Sequence, residues 1–134
     1  MTVRSVLDTK TKGTGEVVSI RPDALVTEAA QLLARHRIGA VPVIEAERLV
    51  GILSERDIVR ALAHSAESLG KTRVRALMTP DVFVARETDA LDAVLELMST
   101  KRIRHLPVVD RDGVVIGIVT LGDVAWARER ELES

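Results

Sequence analysis

Two stretches decide how this chain reads: Val50-Gly51-Ile-Leu-Ser54-Glu-Arg-Asp57-Ile-Val59 and Ile116-Gly117-Ile-Val-Thr120-Leu-Gly-Asp123-Val-Ala125. In each, a glycine opens an apolar run of strand character and a hydroxyl residue ends it. An acid follows three positions later, where a helix begins. The two stretches are offset by 66 residues. Just upstream, Arg37-Ile-Gly-Ala-Val-Pro42-Val-Ile44 matches Arg102-Ile-Arg-His-Leu-Pro107-Val-Val109 at an offset of 65, with four of the eight positions identical. The turn between the matched blocks therefore carries one extra residue in the second copy. Further out, Val18 to Leu33 follows Phe83 to Met98 in apolar pattern. Such self-similarity marks a repeat. The chain of 134 residues divides into residues 1–66 and 67–134, joined near Ser65 to Lys71.

Each unit reads β-α-β-β-α. In the first, Glu16 to Ile20 is a short β-type run. Val26, Ala29, Ala30 and Leu33 mark one helical face, with Asp23 as its N-cap. Ala40 to Ile44 and Leu49 to Leu53 are strands about a polar turn, and Ser54 opens a helix through Ile58, Leu62 and Ala63. In the second, Val82 to Val84 is a strand, and Leu91, Val94, Leu95 and Met98 mark a helix. Leu106 to Val109 and Val114 to Val119 form a hairpin around Asp110-Arg-Asp-Gly113, where Asp-Gly favours a turn with φ > 0. A last helix starts near Thr120, and its charged end, Arg128 to Glu133, is expected to fray. The fold class is α/β in the α+β sense, with six short strands and helices covering them.

Composition excludes several functions. There is no cysteine, hence no disulfide framework, thiolate zinc site or cysteine nucleophile. Lys and Arg number 19 against 20 Asp and Glu, which is no electrostatic footprint for nucleic acid. One Trp, one Phe and no Tyr cannot form a base-stacking platform. The longest apolar run, Val114 to Val119, is far short of the ~20 residues of a membrane span. Met1 to Lys10 lacks the apolar core of a secretory signal. A cytoplasmic protein with neither nucleic-acid nor membrane partners is expected.

The Ser/Thr-x-x-Asp pattern supports two readings. In one it is a capping box, closing the helix N-terminus on itself. In the other, the helix N-terminus and hydroxyl receive a phosphate while the carboxylate accepts from ribose hydroxyls. Two copies, each behind a glycine-led strand, favour the second. Gly51 and Gly117 would then keep side chains out of a cleft.

The segments Pro42-Val-Ile…Val-Gly51-Ile-Leu-Ser54-x-x-Asp57 and His105-Leu-Pro107-Val-Val-Asp110…Ile-Gly117-Ile-Val-Thr120-x-x-Asp123 resemble a tandem pair of CBS domains, the module named after cystathionine β-synthase. The likeness covers about residues 3–128 and suits the small stand-alone bacterial type. It implies two β-α-β-β-α repeats packed sheet to sheet about a pseudo-two-fold axis, with two clefts for adenosine ligands. AMP, ADP or ATP are the commoner ligands, with Mg²⁺ an open question for the polyphosphates. S-adenosylmethionine or NAD(H) are alternatives. By resemblance, Asp57 and Asp123 hold ribose, and Ser54 and Thr120 lie near phosphate. Ile38, Gly39 and Ala40 would contact the ligand from the first unit, and Ile103, Arg104 and His105 from the second. Because Arg104-His105 is basic and Gly39-Ala40 is not, the clefts should differ. Thr79 is a further candidate through the loop Met78-Thr79-Pro80-Asp81, and Lys12, in Lys10-Thr-Lys12-Gly13-Thr-Gly15, a candidate phosphate contact.

The resemblance further implies a non-catalytic ligand sensor that shifts between arrangements and acts on an effector protein in trans. It implies a homodimer through helices carrying Ile58, Leu62, Val124 and Trp126. The rival reading is an assembly module with empty clefts. A triad of Ser54, Asp57 and His64 is rejected, since all three lie along one helix and its cap, turns apart. No histidine pattern repeats as metal ligands would.

Overall fold

The computed structural model describes residues 1–10 and 17–133. Along them run α1 (Val3–Lys10), α2 (Val26–His36), β1 (Ala40–Glu45), β2 (Arg48–Ser54), α3 (Glu55–His64), α4 (Ala66–Leu69), α5 (Val74–Leu77), β3 (Ala85–Arg86), α6 (Leu91–Lys101), β4 (His105–Val109), β5 (Val115–Thr120) and α7 (Leu121–Glu133). The mixed α+β class is as expected. One sheet pairs β1 with β2, and the other runs β3-β4-β5. No helix among the described residues is long and apolar enough to cross a membrane. The chain forms two compact units, Val18–Val82, and Met1–Val17 with Phe83–Ser134.

In the unit Val18–Val82, β1 and β2 are antiparallel, with Ala40 opposite Ser54 and Pro42 opposite Ile52. The aliphatic face of α2 covers them. Ala29 and Leu33 pack with Val41, Val43, Leu53 and Val74, all nearly inaccessible. Full burial of one such Val or Leu contributes about 1.5–3 kcal/mol, so an aromatic-free core suffices. α2 ends at Arg37, whose left-handed φ of 54° turns the chain into β1. In the other unit α6 ends the same way at Arg102, φ 55°. These are the first residues of the matched octapeptides.

In the second unit β4 and β5 are antiparallel, with His105 opposite Thr120. Their turn uses Gly113 at φ 82°, as Asp-Gly implied, and Asp110 Oδ1 accepts from the amides of Asp112 and Val114. Leu91, Val94 and Met98 of α6 and Val124 and Ala127 of α7 close the core over Leu106, Val108 and Val119.

Several expectations need correction. Five strands form among the described residues, not six. Glu16 lies outside those residues, and of Val17 to Ile20 only Ile20 pairs, as an isolated parallel bridge to Val43. Pro22, which has no N–H to donate, follows two residues later and the chain turns away. The strand expected at Val82 to Val84 lies instead at Ala85–Arg86, parallel to Val108 and Val109. Ile20 and Ala85 stand 65 residues apart, so the repeat survives although the strand boundaries do not. Leu25, not Asp23, is the N-cap of α2. Glu28 accepts from the Leu25 amide at 3.2 Å, while Asp23 pairs with Arg21. The end of α7 remains helical through Glu133. Arg128 pairs there with Asp92 of α6, and Arg130 with Glu133.

The compact units cut the chain elsewhere than the repeat boundary at residues 66 and 67. Val3, Val6 and Leu7 of α1 are buried in the unit of the second repeat, and Val74 of α5 in that of the first. Val3-Arg-Ser-Val-Leu7 and Val74-Arg-Ala-Leu-Met78 are themselves alike. Each repeat thus lends its leading segment to the core of the other.

The two glycines make room for that loan. A Cβ on Gly117 would stand 2.6 Å from Leu7 Cδ2. One on Gly51 would stand 2.6 Å from Met78 Sδ and 3.0 Å from the Thr79 carbonyl oxygen. What they keep clear is therefore the seat of a leading segment within each unit. Gly51→Ala is expected to cost about 1–3 kcal/mol through overpacking, because the Thr79 carbonyl is backbone, and Gly117→Ala, which meets only the end of the Leu7 side chain, is expected to cost less. Gly70→Ala, whose Cβ meets nothing within 4 Å, should stay within about 0.5 kcal/mol. Thermal melts of the three variants test this, and a Gly51→Ala chain with the wild-type Tm would remove the packing role.

Candidate functional site

Both Ser/Thr-x-x-Asp turns close as capping boxes. At α3, Ser54 Oγ accepts from the Asp57 amide at 3.2 Å and donates to Asp57 Oδ2 at 3.0 Å. The Ser54 amide donates to the same oxygen at 2.9 Å. At α7, Thr120 Oγ1 accepts from the Asp123 amide and Asp123 Oδ2 from the Thr120 amide, both at 3.1 Å. The first helical amide is taken as well. Glu55 N–H donates to the Gly39 carbonyl at 2.9 Å, and Leu121 N–H to the Arg104 carbonyl at 2.8 Å. Few amides are therefore left at either helix start for the phosphate that the second reading of the Ser/Thr-x-x-Asp pattern places there. Of the first three, only the second, on Arg56 or Gly122, is not taken up in this way.

The same bonds draw the candidate residues together within each unit. Gly39 is tied to the start of α3, and Ala40 lies opposite Ser54. Arg104 is tied to the start of α7, and His105 lies opposite Thr120. Ile38, Gly39, Ile103 and His105 are half-buried, Ala40 is buried and Arg104 is exposed. An open groove of about 400 Å³ between α2 and α3 is bordered by Leu33, Ile38, Gly39, Glu55 and Ile58. Thr79 bridges Ile52 through both its amide and its carbonyl, at 2.9 and 3.0 Å, so its hydroxyl is the group left for a ligand. Lys12 lies outside the described residues. No cluster of three or more His, Asp or Glu that could hold a metal ion occurs among the described residues.

One participant was missed in the sequence. Lys10, at the end of α1, donates to Asp123 Oδ2 at 2.7 Å and to the Ile118 carbonyl at 3.0 Å. The spacing of Val3, Val6 and Leu7 on one helical face was the available signal. Nothing local pointed to a partner so far along the chain. Burial pushes the Asp123 carboxyl up, but the hydrogen bonds from Lys10 and Thr120 outweigh it and hold the group below the usual carboxylate range. Such a carboxyl contributes stability that is complete above the unfolded pKa of about 3.9 and is lost as pH falls through the lowered folded value. Asp123→Asn is expected to melt below the wild type at neutral pH, with the gap closing in acid. A gap that stays constant down to the acid transition would refute this.

Comparison with known proteins places these features in a family. The CBS-domain family model matches twice, over residues 3–64 and 74–130. The CBS domain-containing protein YhcV of Bacillus subtilis is 38% identical over 122 residues, covering 90% of this chain and 83% of that protein. The CBS domain pair of protein MJ0100, solved with 5′-methylthioadenosine and S-adenosyl-L-methionine, matches at a TM-score of 0.79 and 30% identity, covering 98% of each chain. CBSX2, a CBS-pair protein of Arabidopsis thaliana solved with AMP, matches at 0.76 and 30% identity, covering 96% of each. With two family matches falling on the two repeats and their leading segments, this chain belongs to the CBS-domain family as a tandem pair.

Proposed function

We propose that the chain binds adenine nucleotides, AMP, ADP or ATP, and works as a non-catalytic sensor. The observation that carries this reading is the duplicated carboxylate at a helix start, Asp57 and Asp123, each with Oδ2 held by its cap. Each has its other oxygen without a hydrogen bond among the described residues. A carboxylate fixed in this way accepts from vicinal hydroxyls without first losing conformational entropy. The ligands of MJ0100 and CBSX2 share adenosine, the part that such a carboxylate would recognise through its ribose. Ser54 and Thr120 and the starts of α3 and α7 then face the 5′ substituent. The MJ0100 complex supports S-adenosylmethionine as the second reading. Ligand would favour one of several arrangements by differential affinity, and a partner protein in trans would read the shift.

Asp57→Asn and Asp123→Asn, which keep side-chain size and an acceptor for the cap, are expected each to weaken AMP binding. Loss of charge-assisted bonds worth about 1.5–3 kcal/mol corresponds to roughly 10- to 100-fold. Calorimetric titration with AMP, ATP and S-adenosylmethionine, with and without Mg²⁺, measures this and ranks the ligands. Wild-type affinity in both variants would overturn the ribose assignment.

We also propose that the chain is a homodimer through exposed apolar positions of α3 and α7. Val124 is fully buried in its own unit and is withdrawn from that surface, and Ile58 is partly spent in its core. Leu62 and Trp126 remain, 50% and 53% exposed. The double variant Leu62→Glu/Trp126→Glu is expected to sediment as a monomer where the wild type sediments as a dimer. A monomeric wild type at high concentration would sink the proposal.

A further inference from the structure

The two carboxylates do not stand in equal surroundings. Asp123 is paired with Lys10, whose ammonium is also held by the Ile118 carbonyl. Both side chains are about two-thirds covered, at 33% and 31% exposure, so the pair is partly desolvated. Among the described residues no cation pairs with Asp57. The leading segments account for the difference. Three residues after Leu7, seated on Gly117, comes Lys10, whereas three residues after Met78, seated on Gly51, comes Asp81. The unit of Asp123 also carries Arg104 and His105 where the other has Gly39 and Ala40.

Resting on the nucleotide reading above, we propose that Lys10 sets the ligand class of the Asp123 site, admitting adenosine ligands that carry a phosphate and disfavouring neutral ones. The Asp57 site, with no such lysine among the described residues, takes both.

The reasoning is an exchange of partners. Asp123 Oδ1 is open to one ribose hydroxyl, but the vicinal hydroxyl that would share Oδ2 competes there with the Lys10 ammonium. A neutral nucleoside or thioether that displaces the ammonium offers it no anion in return. The charge-assisted bond is then lost, and a partly buried cation is left unpaired. A 5′-phosphate supplies the missing anion, with a charge of about −1.5 to −2 near neutral pH. The lysine stem is flexible and its ammonium is a compact charge, so it can pass from carboxylate to phosphate. The carboxylate is thereby released to the ribose hydroxyls, and the ammonium keeps an anionic partner. Lys10 is thus a specificity-determining residue contributed by the leading segment of one repeat to the site of the other.

Calorimetry on the 134-residue chain with AMP and adenosine as probes tests this. Asp57→Asn weakens the other site and leaves Asp123 intact. In that background AMP is expected to bind at least about tenfold more tightly than adenosine. Adding Lys10→Gln, which keeps a donor for the Ile118 carbonyl but no charge, should bring the two ligands within about threefold, with AMP losing and adenosine gaining. Lys10→Arg should keep the preference for AMP. An unchanged ratio in Lys10→Gln overturns the inference while leaving the nucleotide reading in place. Loss of the folded circular-dichroism spectrum in both Lys10→Gln and Lys10→Arg also overturns it, by assigning Lys10 to anchoring α1. Failure of the wild type to bind either probe overturns the nucleotide reading, and this inference with it.

Discussion

The carbonyl of the residue before β1, and of the residue before β4, accepts the first amide of the helix that follows the partner strand. Gly39 receives Glu55 and Arg104 receives Leu121, at 2.9 and 2.8 Å. A helix start has four amides without partners inside the helix. Here the first is satisfied by a neighbouring strand entry and the third by the capping hydroxyl. The consequence is geometric. Backbone bonds hold the residues entering β1 or β4 beside the helix start, and the capping box holds the hydroxyl and the acid there. That arrangement tolerates the change from Gly39-Ala40 to Arg104-His105, because the bonds that join each strand entry to its helix start run between backbone atoms.

The glycines supply the second constraint. Leu7 and Met78 occupy the space that a Cβ on Gly117 or Gly51 would need. Neither repeat completes its own core. The first lends α1 to the second, and the second lends α5 to the first. A unit of about 60 residues buries too little surface to be more than marginally stable alone. Exchange of leading segments adds apolar burial to both units. It also gives a residue outside the repeat motif, Lys10, access to a motif carboxylate.

Much of this was legible along the chain. The hairpins, both capping boxes, the positive-φ turn at Gly113 and the apolar faces of α2 and α6 depend on residues close in sequence. Periodicity and turn chemistry therefore report them. The misreadings share a cause as well. Val82 to Val84 has strand composition, but pairing needs an edge to pair with, and β4 meets Ala85 and Arg86 instead. Arg128 to Glu133 reads as a solvated tail until Asp92, on another helix, pairs with Arg128. Asp23 is a good N-cap residue beside Arg21, which takes its carboxylate.

The repeat, the mixed α+β class, the paired Ser/Thr-x-x-Asp boxes and the uneven charge of the two strand entries follow from the order of residues. They rest on contacts a few positions apart and on the recurrence of a pattern. Three features depend on segments distant in sequence meeting in space. These are the seating of α1 and α5 on the glycines of the other repeat, the burial of Val124, and the cation on Asp123. Lys10 and Asp123 are separated by most of the chain. Propensity and spacing carry no information on such a pair, because its energy exists only once both segments are packed in the same core.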